Sequence, residues 1–172
     1  MPLPGREQTF AFPDCRELLE KLQREINRYR EAAGHNQLEG EALVERVDQL
    51  KDSAYNASVT AWHLSDWVFN DMRRAQRRTL GFRTLGALQA HARRSCRALH
   101  LCRQSATASK HWRVENHHDP KVQVIVTCDD DTGWTVYFMD DDKRTRADQV
   151  FDEALGFWTG FIYQYQIAKD GR

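Results

Sequence analysis

Eight apolar residues, Leu43, Val47, Leu50, Ala54, Ala57, Ala61, Leu64 and Val68, recur at alternating spacings of four and three. On an α-helix that spacing lays all eight along one seam. The seam predicts a helix running unbroken from about Glu41 to Asn70. Its middle is Ala54, Ala57 and Ala61, small enough for a neighbouring helix to come close. Tyr55, Val59, Trp62 and Phe69 form a second apolar stripe. A helix apolar on two sides belongs at the centre of its bundle.

Two further helices surround it. Asp14, followed three residues later by Glu17, reads as a capping box opening a helix whose stripe is Leu18, Leu22, Ile26, Tyr29 and Ala33 and whose end is Gly34. A third helix is expected from about Thr84 to Ser109, with Leu85, Leu88, Ala92, Cys96, Leu99, Cys102 and Ala106 facing the core.

The period then changes to two. Val122, Val124 and Val126 alternate with Gln123, Ile125 and Thr127, Asp131-Thr132-Gly133 supplies a turn, and Trp134 to Met139 forms the hairpin partner. Trp112 to Val114 is expected as a shorter third strand. Thr145 with Asp148 is read as the cap of a last helix reaching about Ala168. Its aromatic face (Val150, Phe151, Leu155, Trp158, Phe161, Ile162 and Tyr165) should cover one side of the sheet, which is too small to stand alone. Gly156 and Gly160 within it are expected to permit close packing.

The fold class is therefore α+β, mainly α: a three-helix bundle, a small antiparallel sheet of two or three strands, and a C-terminal aromatic helix. Residues 1–13, with three of the four prolines, read as an extended arm. Residues 14–172 read as one domain, divided into a helical bundle (14–110), a β-hairpin or meander (111–145) and the final helix (146–168). No apolar run approaches the roughly 20 residues of a membrane span. The first residues hold no signal-like apolar core, so a cytoplasmic location is expected. Cys15, Cys96, Cys102 and Cys128 form no C-x-x-C pair and are expected to be reduced and mostly buried.

Basic and acidic residues balance at 25 each, but they are sorted along the chain. Residues 1–60 are net −3, residues 61–113 net +9 and residues 114–172 net −6. Arginine supplies the middle excess: Arg73, Arg74, Arg77, Arg78, Arg83, Arg93, Arg94, Arg97, Arg103 and Arg113, joined by Lys110. Guanidinium suits bidentate contact with phosphate or carboxylate. Arg73, Arg74, Arg77 and Arg78 would form one patch if helical, and Arg93, Arg97, His100 and Gln104 would share one face of the third helix. The expected function is a non-enzymatic binding protein engaging an anionic partner, either an acidic protein surface or nucleic acid, through Arg73, Arg74, Arg77, Arg78, Arg93 and Arg97, with Trp67, Phe82 or Trp112 adding stacking. The opposing internal reading pairs these arginines with Asp129-Asp130-Asp131, Asp140-Asp141-Asp142 or acids of the first helix.

His63 and Asp66, three apart on the second helix, form a candidate metal or general-base pair, with His91 or His117-His118 as possible further ligands. Asp129-Asp130-Asp131-Thr132-Gly133 lacks the spacing of a calcium loop and reads as a turn. Ser109-Lys110-His111-Trp112 is a further polar cluster. There is no phosphate-binding glycine loop, Gly-x-Ser-x-Gly elbow or dinucleotide fingerprint, and no cofactor is expected. Arg93 or Arg94, with Ser95 following, precedes His100 by a spacing that resembles the arginine–histidine motif of HEPN-type helical ribonucleases. That resemblance implies the alternative function: metal-independent RNA cleavage by Arg93 or Arg94 with His100, on a bundle that a homodimer would double.

Overall fold

A computed structural model describes residues 10–34, 37–108 and 119–167. The elements in order are α1 (Cys15–Ala32), α2 (Gly40–Asp71), α3 (Arg74–Thr79), α4 (Leu85–Ser95), α5 (Arg97–Ala108), β1 (Val122–Asp129), β2 (Gly133–Asp140), β3 (Lys143–Arg146) and α6 (Ala147–Gln164). The fold is α+β and mainly α, with a three-stranded antiparallel sheet ordered β1-β2-β3. No described helix is long and apolar enough to cross a membrane.

The long helix is central. α2 runs for 32 residues, about 48 Å, and packs against α1, α4, α5, α6 and β2. Leu50, Ala54, Ala57, Ala61, Leu64 and Val68 of its seam are buried. The alanines admit α6 so closely that Trp158 Nε1 donates to the Ala61 carbonyl at 2.8 Å. Serines on the buried side return their hydroxyls to their own helix: Ser53 to the Gln49 carbonyl and Ser58 to that of Ala54. Asp14 caps α1 as read, accepting the amides of Arg16 and Glu17 at 2.9 and 3.2 Å.

The expected third helix is two helices. Cys96, at φ −140° and ψ 107°, breaks it between α4 and α5. The apolar residues Leu88, Ala92, Leu99 and Cys102 stay buried across the break. With no glycine or proline to mark it, periodicity alone runs through the interruption. The last helix also opens differently. Thr145 lies in β3 opposite Phe138, where a β-branched residue fits the ladder. Arg146 is the N-cap, without a side-chain cap bond, and Asp148 Oδ1 accepts the Arg146 guanidinium at 3.2 Å. Lys143–Arg146 is the third strand of the described sheet; the expected strand at Trp112–Val114 lies outside the described residues. Gly156 and Gly160 do not mediate close packing, since nothing lies within 4 Å of a Cβ built at either.

Register in the sheet pairs Val124 with Phe138 and Val126 with Val136. β2 carries the core residues Thr135, Val136 and Phe138, whereas Val124 and Ile125 of β1 are exposed. β3 pairs only with residues 137–140 of β2. Beyond it the edge of β2 is taken by α1: the Tyr29 hydroxyl accepts the Val136 amide at 3.0 Å, and Gly34 and Trp134 exchange backbone bonds of 2.8 and 3.1 Å. Phe151 of α6 closes this corner edge-on to Tyr29 and Phe138.

Candidate anion-binding surface

Three segments converge at one end of the bundle: the start of α1, the junction of α2 with α3, and the last turn of α6. The Cys15 amide donates to Asp71 Oδ2 at 2.7 Å, joining the start of α1 to the end of α2. Gln76 Nε2 donates to the Tyr165 carbonyl and Arg16 Nε to the Ile167 carbonyl, each at 3.0 Å. Helix C-termini leave carbonyls unpaired and carry partial negative charge. Gln76 and Arg16 therefore satisfy the end of α6. Arg77 does the same for α2, donating Nε to the Met72 carbonyl at 3.1 Å while its guanidinium lies 4.5 Å from the centre of the Phe69 ring.

Across residues 10–17, 71–83 and 161–167 the charges are Arg16, Arg73, Arg74, Arg77, Arg78 and Arg83 against Asp14, Glu17 and Asp71. Asp14 and Asp71 already accept backbone amides of α1. Arg73, Arg74, Arg78 and Arg83 are exposed, and Arg74, Arg78 and Arg83 form no ion pair with a described residue. α3 has six residues, too few to be stable alone. Arg74 and Arg78 stand four apart on it and repel by a few tenths of a kcal/mol. Neither side chain has a bond among the described residues that would repay that repulsion.

Arg97 differs. Its Nε donates to Asp140 Oδ2 at 2.6 Å and its Nη2 to Asp140 Oδ1, and Asp119 Oδ2 stands 3.8 Å away. His100 Nε2 meets Asp119 Oδ2 at 2.9 Å, and Gln104 Oε1 accepts the Asp119 amide at 3.3 Å. The hydrogen bond to Arg97 holds the Asp140 carboxyl below its usual range, and the bond to His100 does the same for Asp119. Burial lowers the His100 imidazole despite Asp119, because the Arg97 and Arg103 charges add to it. Arg97, His100 and Gln104 thus share a face of α5 that clamps the sheet.

The break at Cys96 separates Arg93 and Arg94, on α4, from His100, on α5, so their spacing is not that of one continuous helix. Arg94 is exposed and Arg93 half-buried, its Nε on the Gln89 carbonyl at 3.3 Å. Arg103 lies 5.9 Å from the Trp62 ring centre. Burial first, then the Arg93 charge, lowers its proton affinity. A second, smaller basic cluster therefore flanks Trp62, separated from Arg83 by α4, about 15 Å of helix.

His63 and Asp66 are half-buried on α2, and Asp66 Oδ2 stands 3.4 Å from Ser65 Oγ. Among the described residues no three His, Cys, Asp or Glu side chains are grouped as metal ligands. His91 packs instead among Phe82, Phe157 and Phe161. Asp129 ends β1 beside the turn, accepting Thr132, Tyr137 and Arg144. Burial pushes the Cys96 thiol up to about 11 and raises Cys15 and Cys102 further, so these three are protonated packing residues; Cys128 is exposed. Lys110, Arg113, His117, His118 and the Ser109–Trp112 cluster lie outside the described residues. The chain matches no protein-family model, no curated protein and no solved structure.

Arg16, Gln76 and Tyr163 were invisible to a reading by segment. Each is ordinary within its own helix, and only the packing of α1, α3 and α6 brings them to one end.

Proposed function

We propose that this chain is a non-enzymatic binding protein whose arginines around α3 engage an anionic partner. The observation that carries the reading is the division of labour at that end. Arg77 and Arg16 cap helices, while Arg74, Arg78 and Arg83 point outward without an ion pair to a described residue. Acidic protein surfaces and nucleic acid share the required chemistry, a row of carboxylates or phosphates. Arg97 is no part of this surface, because Asp140 already occupies it. A cytoplasmic setting belongs to the same reading, supported by four free cysteines.

The test is retention of the full chain on immobilised heparin, a generic polyanion, under a salt gradient. The wild-type chain should elute late, and R74E/R78E early with an unchanged circular-dichroism spectrum. Coincident elution overturns the reading. Metal-independent cleavage of labelled RNA that disappears in His100→Ala would replace it with the ribonuclease alternative.

A further inference from the structure

The anionic reading leaves the class of partner open, and one side chain at the basic end narrows it. Tyr163 is 59% exposed in the last turn of α6. Its aromatic neighbours on that helix, Trp158, Phe161 and Tyr165, are buried or half-buried against the core. The Arg16 guanidinium lies 5.4 Å from the Tyr163 ring centre, and Arg16 is itself fixed to the Ile167 carbonyl at 3.0 Å. The ring is therefore steadied and still presents most of its surface to solvent. Two residues on, the Tyr165 carbonyl takes the Gln76 side chain, so α3 docks on the same turn, with Arg74 and Arg78 exposed on it.

Resting on the reading above, we propose that this end of the bundle binds single-stranded nucleic acid, with a base stacked on Tyr163 and phosphates on Arg74 and Arg78. An acidic peptide would use the arginines and gain nothing specific from an exposed ring. A duplex keeps its bases stacked internally, so it too leaves the ring unused. An unpaired base has a free π-face, and an aromatic platform beside a basic track is how such strands are held without sequence readout. Arginine, which carries all the positive charge of the described residues at this end, also matches phosphate bidentately.

The experiment is fluorescence anisotropy of the full chain with a labelled oligouridylate of about 12 nucleotides, within the footprint of such sites. A duplex of the same length and poly-glutamate serve as competitors. The single strand should bind, and both competitors should displace it poorly at matched charge. Tyr163→Ala should weaken binding about fivefold or more, the scale of one stacked base, and Tyr163→Phe should restore it. R74Q/R78Q should flatten the logarithmic salt slope by about 1.4, two phosphate contacts on a single strand. Binding that ignores Tyr163→Ala, or equal competition by duplex, overturns the single-strand proposal. Displacement by poly-glutamate at equal charge assigns the surface to an acidic protein. In each of these cases arginine-dependent heparin retention survives; loss of that dependence is the separate failure of the underlying reading.

Discussion

Arg97 and Asp140 face each other across the junction of α5 and β2 as a two-pronged guanidinium–carboxylate pair. The pair converts one of the middle arginines from a candidate ligand contact into a tie between helix and sheet. Its side chains are 48% and 21% exposed, so solvent screens much of the attraction. Arg97→Met should lower unfolding stability by about 0.5–1 kcal/mol, read by urea denaturation. Heparin retention should stay close to wild type, in contrast to R74E/R78E. A large loss of retention would return Arg97 to the binding surface.

The same cluster sets a pH dependence. Burial, aided by the Arg97 and Arg103 charges, lowers the His100 imidazole below its ordinary 6.5. The unfolded chain therefore binds this proton more readily than the folded one. The stability that neutral His100 contributes is present above about pH 6.5 and is lost as pH falls through the folded value. Asp119 and Asp140, both lowered by their partners, add a second loss at lower pH, below the ordinary aspartate value of 3.8. Urea midpoints should fall between pH 7 and pH 5, and His100→Gln should flatten that first decline. An unchanged slope in the variant would remove His100 as its cause.

The elements with strong local signals were legible in the sequence. The seam from Leu43 to Val68 gave α2 almost to its ends, because a repeat of that length has one helical solution. Asp14 announced α1, and the change of period at Val122 announced the sheet. What escaped was set by tertiary contact. The break at Cys96 hides inside an unbroken apolar repeat. β3 is four residues, three of them basic, with no apolar alternation to reveal it. The charge sorting singled out the arginines, but segment sums cannot say which guanidinium meets an aspartate: Arg97 meets Asp140, and Arg74 meets none among the described residues. Nor can they bring Arg16 and Tyr163, 147 positions apart, beside the residues of α3.

Tyr29 supplies what β3 is too short to provide. Its hydroxyl accepts the Val136 amide and bonds Thr135 Oγ1, each at 3.0 Å, in a buried corner. Tyr29→Phe keeps the ring against Phe151 and removes only the oxygen. The Val136 amide then loses its partner away from water, which costs about 1–3 kcal/mol. Urea denaturation should show that loss with an unchanged m-value. A variant as stable as wild type would mean that water replaces the hydroxyl without penalty.

Glycine has opposite meanings at two places in this chain, and one pair of substitutions separates them. Gly133 has φ +68° and Gly34 φ +86°, and their backbones meet where Gly34 bonds Trp134. A Cβ at Gly133 would lie 2.8 Å from the Gly34 carbonyl carbon and 2.9 Å from its Cα. Backbone on both sides leaves no flexible side chain to yield, and the left-handed conformation adds strain of its own. Gly133→Ala should therefore cost about 2 kcal/mol or more and loosen the contact between α1 and the hairpin. Gly156 lies exposed within α6, with nothing within 4 Å of an added Cβ. There alanine relieves the entropy cost of a helical glycine, so Gly156→Ala should raise stability by about 0.5–1 kcal/mol. Opposite shifts of the urea midpoint are expected. A stable Gly133→Ala would show that the crossing with Gly34 is looser than described, and a destabilised Gly156→Ala would mean that α6 packs more tightly there than its open surroundings indicate.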